Sequence, residues 1–219
     1  QGTSINVVDF KGEQKYPFAY GNSTTSSSCT EEQARNCDKG CIDFVMEKIA
    51  VCDRQTDARE LKAKGARGVI YRVSNNDSPR LNPIPVANLD DTNYQSLISY
   101  ITSTPNPVGC ILQSETVKDF NAPIVASFSS RGPNTIVSDI LKPDITAPGV
   151  SIFAAYSPVA ATAIGENVDN YFLSGTSMSC PHVAGVAAYV KTLRPDWSPS
   201  AIKSAIMTTA WGMNASGNI

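Results

Sequence analysis

The sequence predicts an α/β protein, because short apolar runs of strand type alternate with segments of helical type. Apolar runs bounded by turn residues occur at residues 48–52 and 68–71. Helical patterns occur at residues 58–64 and 94–102 in the same half of the chain, and again at residues 199–208. We therefore expect a small α/β module in the first half and further helices near the end.

The last of these helices has a clear start signal. Ser198 is a good N-cap residue, and Pro199 follows it at the first helical position, where proline is well tolerated. We expect Ile202, Ala205 and Ile206 to face inward, which makes this helix a packing element.

Size and composition exclude several classes of protein. The chain has 219 residues, a net charge of −2, 17% charged residues and 42% hydrophobic residues. This length accommodates one large or two small domains. The balance of charge argues against a nucleic-acid partner, which would require a basic face. Because no apolar run approaches the roughly 20 residues of a membrane span, we expect no membrane partner.

The cysteines favour disulfides over a metal site. Four of the six cysteines fall close together in the first half: Cys29, Cys37, Cys41 and Cys52. They lack the paired C-x₂-C spacing of zinc sites, so we expect two disulfides, with all three pairings open, and neither a metal nor a cofactor. Cys110 and Cys180 are expected to be free and buried.

Three sequons are candidate glycosylation sites, namely Asn22, Asn76 and Asn214. Asn22 and Asn76 lie in predicted loops. Together with the cysteines, they favour a secreted protein.

Residues 175–185 place a serine between a small turn and a helix of small residues. Thr176 or Ser177 is expected to cap this helix, and Pro181 should lie near its first turn. Because the helix is apolar all round, it should be buried. Its N-terminus brings partial positive charge and a free amide beside Ser177. The residues alone leave two interpretations open, a capping serine or a nucleophile.

The histidine in this segment is badly placed to act as a base for Ser177. His182 is the only histidine in the sequence, and it follows Ser177 by five positions. On a helix this spacing turns the side chain by about 140° and raises it by about 7.5 Å. We therefore expect His182 to be structural, and a single histidine without clustered partners makes no zinc site.

Three segments carry a resemblance to a known family. Residues 175–185 resemble the catalytic-serine signature of the subtilisin-like serine peptidases (peptidase family S8), and residues 128–134 and 142–150 resemble segments that precede it. The form of residues 128–134 is typical of the plant, cucumisin-like subtilases. The resemblance implies a subtilisin-like α/β domain with a parallel sheet, in which Ser177 is the nucleophile and His182 is not catalytic.

The family order of catalytic residues is Asp, then His, then Ser, with the first two far upstream. Asp144 therefore corresponds to a structural position, and Arg131 to a residue that fixes a loop. Asn134 and Asn170 do not match the oxyanion motif of the family. The resemblance implies that the catalytic histidine, aspartate and oxyanion asparagine are absent, so we expect a fragment that is inactive by itself.

The first half resembles the protease-associated domain that plant subtilases carry as an insertion. The matching segments are residues 48–54, 63–70 and 84–89. The implied domains are a peptidase strand leading into the insertion at residues 1–18, the protease-associated domain at 19–118, and the C-terminal part of the peptidase domain at 119–219. Residues 3–6 would form the entering strand and residues 120–128 the return.

The intact parent is expected to be a secreted serine endopeptidase that forms an acyl-enzyme on Ser177. Its partners would be a peptide or protein substrate, the upstream Asp/His segment and a C-terminal β domain, with a homodimer possible through residues 19–118. The resemblance implies that the parent protein is located in the cell wall space (apoplast) or in a vacuole.

Two alternatives remain. The first is a truncated, inactive product that binds proteins through residues 19–118. The second is a serine hydrolase of another fold, which is disfavoured because Ser177 lies in no G-x-S-x-G elbow.

Overall fold

The computed structural model describes residues 2–6, 14–21, 28–74, 79–118, 122–163, 168–212 and 217. The chain forms two compact units, Gln1–Thr116 and Val117–Ile219. Within the described residues, no helix has both the length and the apolar character needed to cross a membrane. The three sequons, Asn22, Asn76 and Asn214, lie outside the described residues.

The first unit is built on a five-stranded sheet. Its strands are β1 (Tyr16–Tyr20), β2 (Ile49–Cys52), β3 (Gly68–Arg72), β4 (Val86–Leu89) and β5 (Val108–Gly109). Their order in the sheet is β4-β3-β2-β1-β5. Neighbours from β1 to β4 are parallel, and β5 runs antiparallel to β1. The predicted strands at residues 48–52 and 68–71 are confirmed.

Among the described residues of this unit, three helices connect the strands, and each begins at a polar cap. They are α1 (Glu31–Arg35), α2 (Ala58–Ala63) and α3 (Asp91–Ser103). Thr30 forms a capping box with Gln33, while Asp57 and Asp90 each accept a hydrogen bond from an N–H of the first turn. After α2 the chain reverses at Gly65, whose φ of 82° favours glycine.

The core of this unit lies on both faces of the sheet, because alternate strand residues point to opposite sides. One face packs Val69 of β3 with Leu61 of α2, and both are fully buried. The other face packs Val51 and Ile70 of β2 and β3 with Tyr94 of α3. The two helices therefore cover opposite faces of the sheet.

The four clustered cysteines form two disulfides, Cys29–Cys41 and Cys37–Cys52. The second bond joins the residues after α1 to the end of β2, and both of its cysteines are 1% exposed or less. The first disulfide joins the two segments that flank α1, and the second fastens this region to the sheet.

In the part that the structure describes, the second unit has one hairpin and three helices. The strands β6 (Ile152–Ala155) and β7 (Asn170–Leu173) pair antiparallel. The helices are α4 (Pro158–Ala163), α5 (Thr176–Leu193) and α6 (Pro199–Thr208). The side chain of Ser198 accepts a hydrogen bond from the Ala201 N–H, so the predicted cap of α6 is confirmed. Ile202 of α6 is buried, as predicted.

The prediction that α5 is buried is wrong for this chain. No described side chain of α5 is buried, and Val186, Tyr189 and Leu193 are 49–67% exposed. A helix that is apolar all round needs packing surfaces on every side, and α6 is the only described helix that packs closely on it. Cys180 is exposed on α5 for the same reason, against the prediction that it is buried, and Cys110 is half-buried.

Several extended segments also differ from the predictions. The apolar residues 110–112 predict a last strand of the first-half module, but that strand lies earlier, as β5, where it pairs with β1. Residues 3–6 make only isolated bridges, Thr3 with Asn88 and Ile5 with Leu81. The described residues between 122 and 149 contain no strand or helix.

The domain limits stay predictions. The predicted limit between residues 18 and 19 falls inside β1, and the limit between 118 and 119 lies two residues beyond the division between the units.

Candidate functional site

Ser177 lies on the first turn of α5, which follows β7 after the two residues Ser174 and Gly175. Its side chain is exposed. The turn between strand and helix passes through Gly175, which has φ 156° and ψ 165°, a region that is essentially restricted to glycine. The sequence G-T-S therefore turns the chain sharply and presents the serine at the start of the helix.

Two hydrogen bonds hold this turn against the segment that precedes the hairpin. The Gly175 N–H donates to the carbonyl of Gly149 over 2.8 Å. The Ser179 hydroxyl donates to the carbonyl of Ala147 over 3.0 Å. The residues on both sides of Ser177 are thus fixed to residues 147–149, which belong to one of the three segments resembling the family.

Close approach at this contact depends on Gly149. A Cβ on Gly149 would lie 2.2 Å from the Ser179 Oγ and 2.9 Å from the Gly175 carbonyl oxygen, so no other residue fits without movement. Two residues later, the Ser151 N–H donates to the Ser174 hydroxyl over 2.8 Å. The two chain segments are therefore joined at three successive points.

The hydroxyl of Ser177 has no hydrogen-bond partner in the described part of the chain, and neither has its backbone N–H. The N-cap of α5 is Gly175, which has no side chain to bond, so the prediction that Thr176 or Ser177 caps the helix is wrong. An unpaired N–H at a helix N-terminus is well suited to stabilise negative charge.

His182 forms a hydrogen bond within its own helix. Its Nδ1 lies 2.8 Å from the carbonyl oxygen of Met178, and a carbonyl only accepts, so Nδ1 carries the proton. No hydrogen bond joins His182 to Ser177 among the described residues, in agreement with their spacing. Pro181 lies at the sixth helical position, just beyond the first turn, and it leaves the Ser177 carbonyl without the usual N–H partner.

Asp144 forms ion pairs with two lysines. Its carboxylate pairs with Lys142 and, over 2.7 Å, with Lys203 of α6. Hydrogen bonds from Lys142 and Lys203 lower the pKa of Asp144 and favour its charged form. Asp144 thus ties the segment before the hairpin to α6, which fits the structural role expected for it.

Three other residues considered in the sequence are distinct from this site. Arg131 is exposed and forms no hydrogen bond or ion pair with the described residues, so the structure gives no support to a loop-fixing role. The Asn134 side chain accepts hydrogen bonds of 2.9 Å from the N–H groups of Ile136 and Val137. Asn170 is an exposed residue at the start of β7.

A polar cluster in the first unit was not predicted. The Asp53 carboxylate accepts hydrogen bonds of 2.9 Å from the hydroxyls of Tyr20 and Tyr94, and Arg35 pairs with its other oxygen over 2.8 Å. Burial, followed by the hydrogen bond to Asp53, raises the pKa of Tyr94 and of Tyr20. The available signal was the position of Asp53, immediately after a buried strand.

The described residues contain no group of three or more histidine, cysteine or acidic side chains suited to a metal ion. Around Ser177 the described residues offer a hydroxyl, a backbone N–H and a helix N-terminus.

The comparisons with known proteins agree on one family. The model of the Subtilase family matches residues 11–218. The chain is 52% identical over 223 residues to subtilisin-like protease SBT4.4 of Arabidopsis thaliana, and 50% identical over 220 residues to SBT4.13 of the same plant. It is also 51% identical over 219 residues to SBT4.6.

These matches cover 98–99% of this chain and 30% of each relative, so the chain spans about a third of the length of the relatives it matches. The family match and the identities of about half both extend over nearly all of its residues. The chain therefore belongs to the Subtilase family.

Proposed function

We propose that this chain carries the nucleophile of a serine endopeptidase and that Ser177 is that nucleophile. The observation that supports the proposal best is the exposed Ser177 hydroxyl, which has no hydrogen-bond partner in the described residues. A serine whose role was to cap the helix would accept a hydrogen bond from an N–H of the first turn. Membership of the Subtilase family gives independent support for protease activity.

In the proposed reaction, the Ser177 oxygen attacks the carbonyl carbon of a peptide bond, and the C–N bond breaks. The proton of the hydroxyl passes to a general base and then to the leaving amine, and water hydrolyses the resulting acyl-enzyme. The Ser177 N–H is available to stabilise the oxyanion of the intermediate. The substrates are peptides or proteins.

The general base must come from outside this chain. The sequence has one histidine, and the Nδ1 of His182 donates to the Met178 carbonyl rather than facing the serine. We therefore assign the base, its orienting carboxylate and the second oxyanion donor to other parts of the parent protein. Without the base, the isolated chain should hydrolyse peptides at a negligible rate.

The first unit supports a secreted protein with a protease-associated domain at residues 19–118. Two disulfides in a small α/β unit are characteristic of proteins that pass through an oxidising compartment. We assign the parent to the secretory route, with the extracellular cell wall space or a vacuole as its destination, and with glycans at the three sequons. The same domain is the candidate surface for a homodimer.

The test is the substitution Ser177→Ala in the complete protein, with Ser200→Ala as a control. Ser200 is an exposed serine of α6. We expect Ser177→Ala to reduce peptidase activity at least about 10³-fold while the control retains it. Equal activity in both variants would disprove the assignment of the nucleophile.

A second candidate function is a catalytically inactive product that binds proteins through the first unit. The observation that favours it is the compact, doubly disulfide-bonded unit Gln1–Thr116. If the protein from its native source is no longer than this chain and shows no peptidase activity, the binding function is the better account.

A further inference from the structure

Residues 2–6, which we call the strap, form hydrogen bonds along the outer edge of β4. β4 pairs with β3 on its inner side. On its outer side, the Asn88 N–H donates to the Thr3 carbonyl and the Thr3 N–H donates to the Asn88 carbonyl, both over 3.0 Å. The strap thus adds one backbone pair to an edge strand.

The second contact of the strap uses a side chain in place of a peptide group. The Asn6 Nδ2 donates to the Val86 carbonyl over 2.9 Å, and the Val86 N–H donates to the Asn6 Oδ1 over 2.9 Å. The side-chain amide of Asn6 therefore makes the two hydrogen bonds that a backbone partner of β4 would make. Asn6 itself is only 5% exposed.

Asn6 is held in place from the other side by the segment that leaves the unit. The Asn6 N–H donates to the Ser114 hydroxyl over 2.9 Å, and the Ser114 N–H donates to the Asn6 carbonyl over 3.2 Å. Residues 108 positions apart are thereby joined at Asn6. The strap and residue 114 together close the unit at the point where its two ends meet.

Two further observations indicate that this contact is specific. A Cβ on Gly2 would lie 2.7 Å from the Asn88 carbonyl oxygen and 2.7 Å from Leu89 Cδ2, so the approach of the strap requires a glycine. The β4 sequence, Val-Ala-Asn-Leu, contains no charged residue or proline. It therefore lacks the charge and the proline that often protect an exposed edge from pairing with another chain.

We propose that the strap prevents β4 from pairing with another chain, and that Asn6 is the residue that holds the strap in place. Opening the strap would free the N–H and carbonyl groups of Val86 and Asn88. The occupant that we assign to the opened edge is β4 of a second copy of this chain, because an uncharged strand with free backbone groups is a ready template for its own sequence.

The test uses two variants of the 219-residue chain that open the strap by different means. Asn6→Asp keeps the size of the side chain but cannot donate to the Val86 carbonyl, and Gly2→Ala introduces the Cβ clash. The matched controls are Asn82→Asp, which breaks only a local bond to the Arg80 carbonyl, and Gly185→Ala, whose Cβ would meet nothing within 4 Å. Amide hydrogen exchange and light scattering are measured on each.

We expect both variants to exchange the Val86 and Asn88 amides about tenfold faster than the wild type. Protection at Val51 and Ile70 should persist, which shows that the sheet remains folded. The mass from light scattering should rise with concentration in the variants more than in the controls. The proposal would be overturned if the variants exchanged the amides of residues 86 and 88 as slowly as the wild type does. It would also be overturned if these amides exchanged faster without any rise in mass.

Discussion

The hydroxyl of Ser179 donates a 3.0 Å hydrogen bond to the carbonyl of Ala147, and this bond fixes the first turn of α5 to the segment before the hairpin. Ser177 lies two residues earlier on the same turn. The position of the proposed nucleophile therefore depends on a contact made by its neighbours, while its own hydroxyl has no hydrogen-bond partner among the residues that the structure describes.

Substituting Gly149 should displace the proposed nucleophile. In Gly149→Ala the new Cβ would lie 2.2 Å from the Ser179 Oγ, so either the turn moves or the bond to Ala147 breaks. We expect a loss of stability of about 1–3 kcal/mol, as for overpacking elsewhere. Thermal unfolding of this chain measures it, and activity in the complete protein should fall as well. Gly185→Ala is the control, and equal effects of the two substitutions would contradict this account.

The ion pairs of Asp144 should make the second unit sensitive to acid. Lys142 and Lys203 lower the pKa of Asp144 in the folded state, so their stabilisation is complete above the ordinary carboxylate pKa of about 3.9 and is lost as pH falls through the lower, folded value. Asp144→Asn should therefore destabilise the unit at pH 6 and make little difference at pH 2.

At alkaline pH the same ion pair is lost as the pH rises, because the lysine rather than the carboxylate loses its charge. The hydrogen bond to Asp144 raises the pKa of Lys203, so its stabilisation is present below about pH 10.4 and is lost as pH rises through the folded value. Urea unfolding across pH measures both limits. Asp139→Asn, at an exposed carboxylate without an ion pair among the described residues, is the control; a matching pH profile there would contradict the role of Asp144.

Asp53 should be important for the stability of the first unit. In Asp53→Asn the charge that Arg35 pairs with is removed, while Tyr20 and Tyr94 keep an acceptor of weaker strength. Since a hydrogen bond to a charged group contributes about 1.5–3 kcal/mol, we expect a loss of that size. Urea unfolding followed by tyrosine fluorescence measures it.

The control for Asp53 is Asp57→Asn. The side chains of Asp57 and its partner Arg59 are 52% and 53% exposed, so this ion pair should contribute little to the free energy of unfolding. If the two substitutions reduced the free energy of unfolding equally, the Asp53 cluster would not have the stabilising role assigned to it.

The two disulfides should be reduced in a fixed order. Cys37 and Cys52 are buried, whereas Cys29 is partly exposed in its bond to Cys41. Because a reductant must reach the sulfur, we expect Cys29–Cys41 to open first. Thiol labelling and peptide mass spectrometry during stepwise reduction follow the order. Simultaneous reduction, or earlier labelling of Cys37, would contradict it.

Local sequence signals were sufficient for much of the fold. The strands at residues 49–52 and 68–72 are short apolar runs with turn residues beyond them, and α6 begins at the predicted Ser198 cap. Such features depend on a few neighbouring residues, which is why the sequence predicts them well. The pairing of the cysteines depends on contacts between distant residues, so the sequence left it open.

The burial of α5 and the geometry around Ser177 were harder to predict. The composition of α5 indicates which surfaces can be buried but not which partners are present to bury them. The bond from Ser179 to Ala147 and the hydrogen bonds of Asn6 join residues that are 32 and 80 positions from their partners. No local pattern indicates such contacts, and the sequence resemblance alone was what singled out Ser177.

The most direct test of the central claim is labelling with a fluorophosphonate probe, followed by peptide mapping, on the protein from its native source beside the recombinant 219-residue chain. The probe reacts with a serine only when a base activates it. We predict labelling at Ser177 in the native protein and none in the recombinant chain, because we assign the base to another part of the parent protein. Labelling at another serine, or at Ser177 in the isolated chain, would contradict the account.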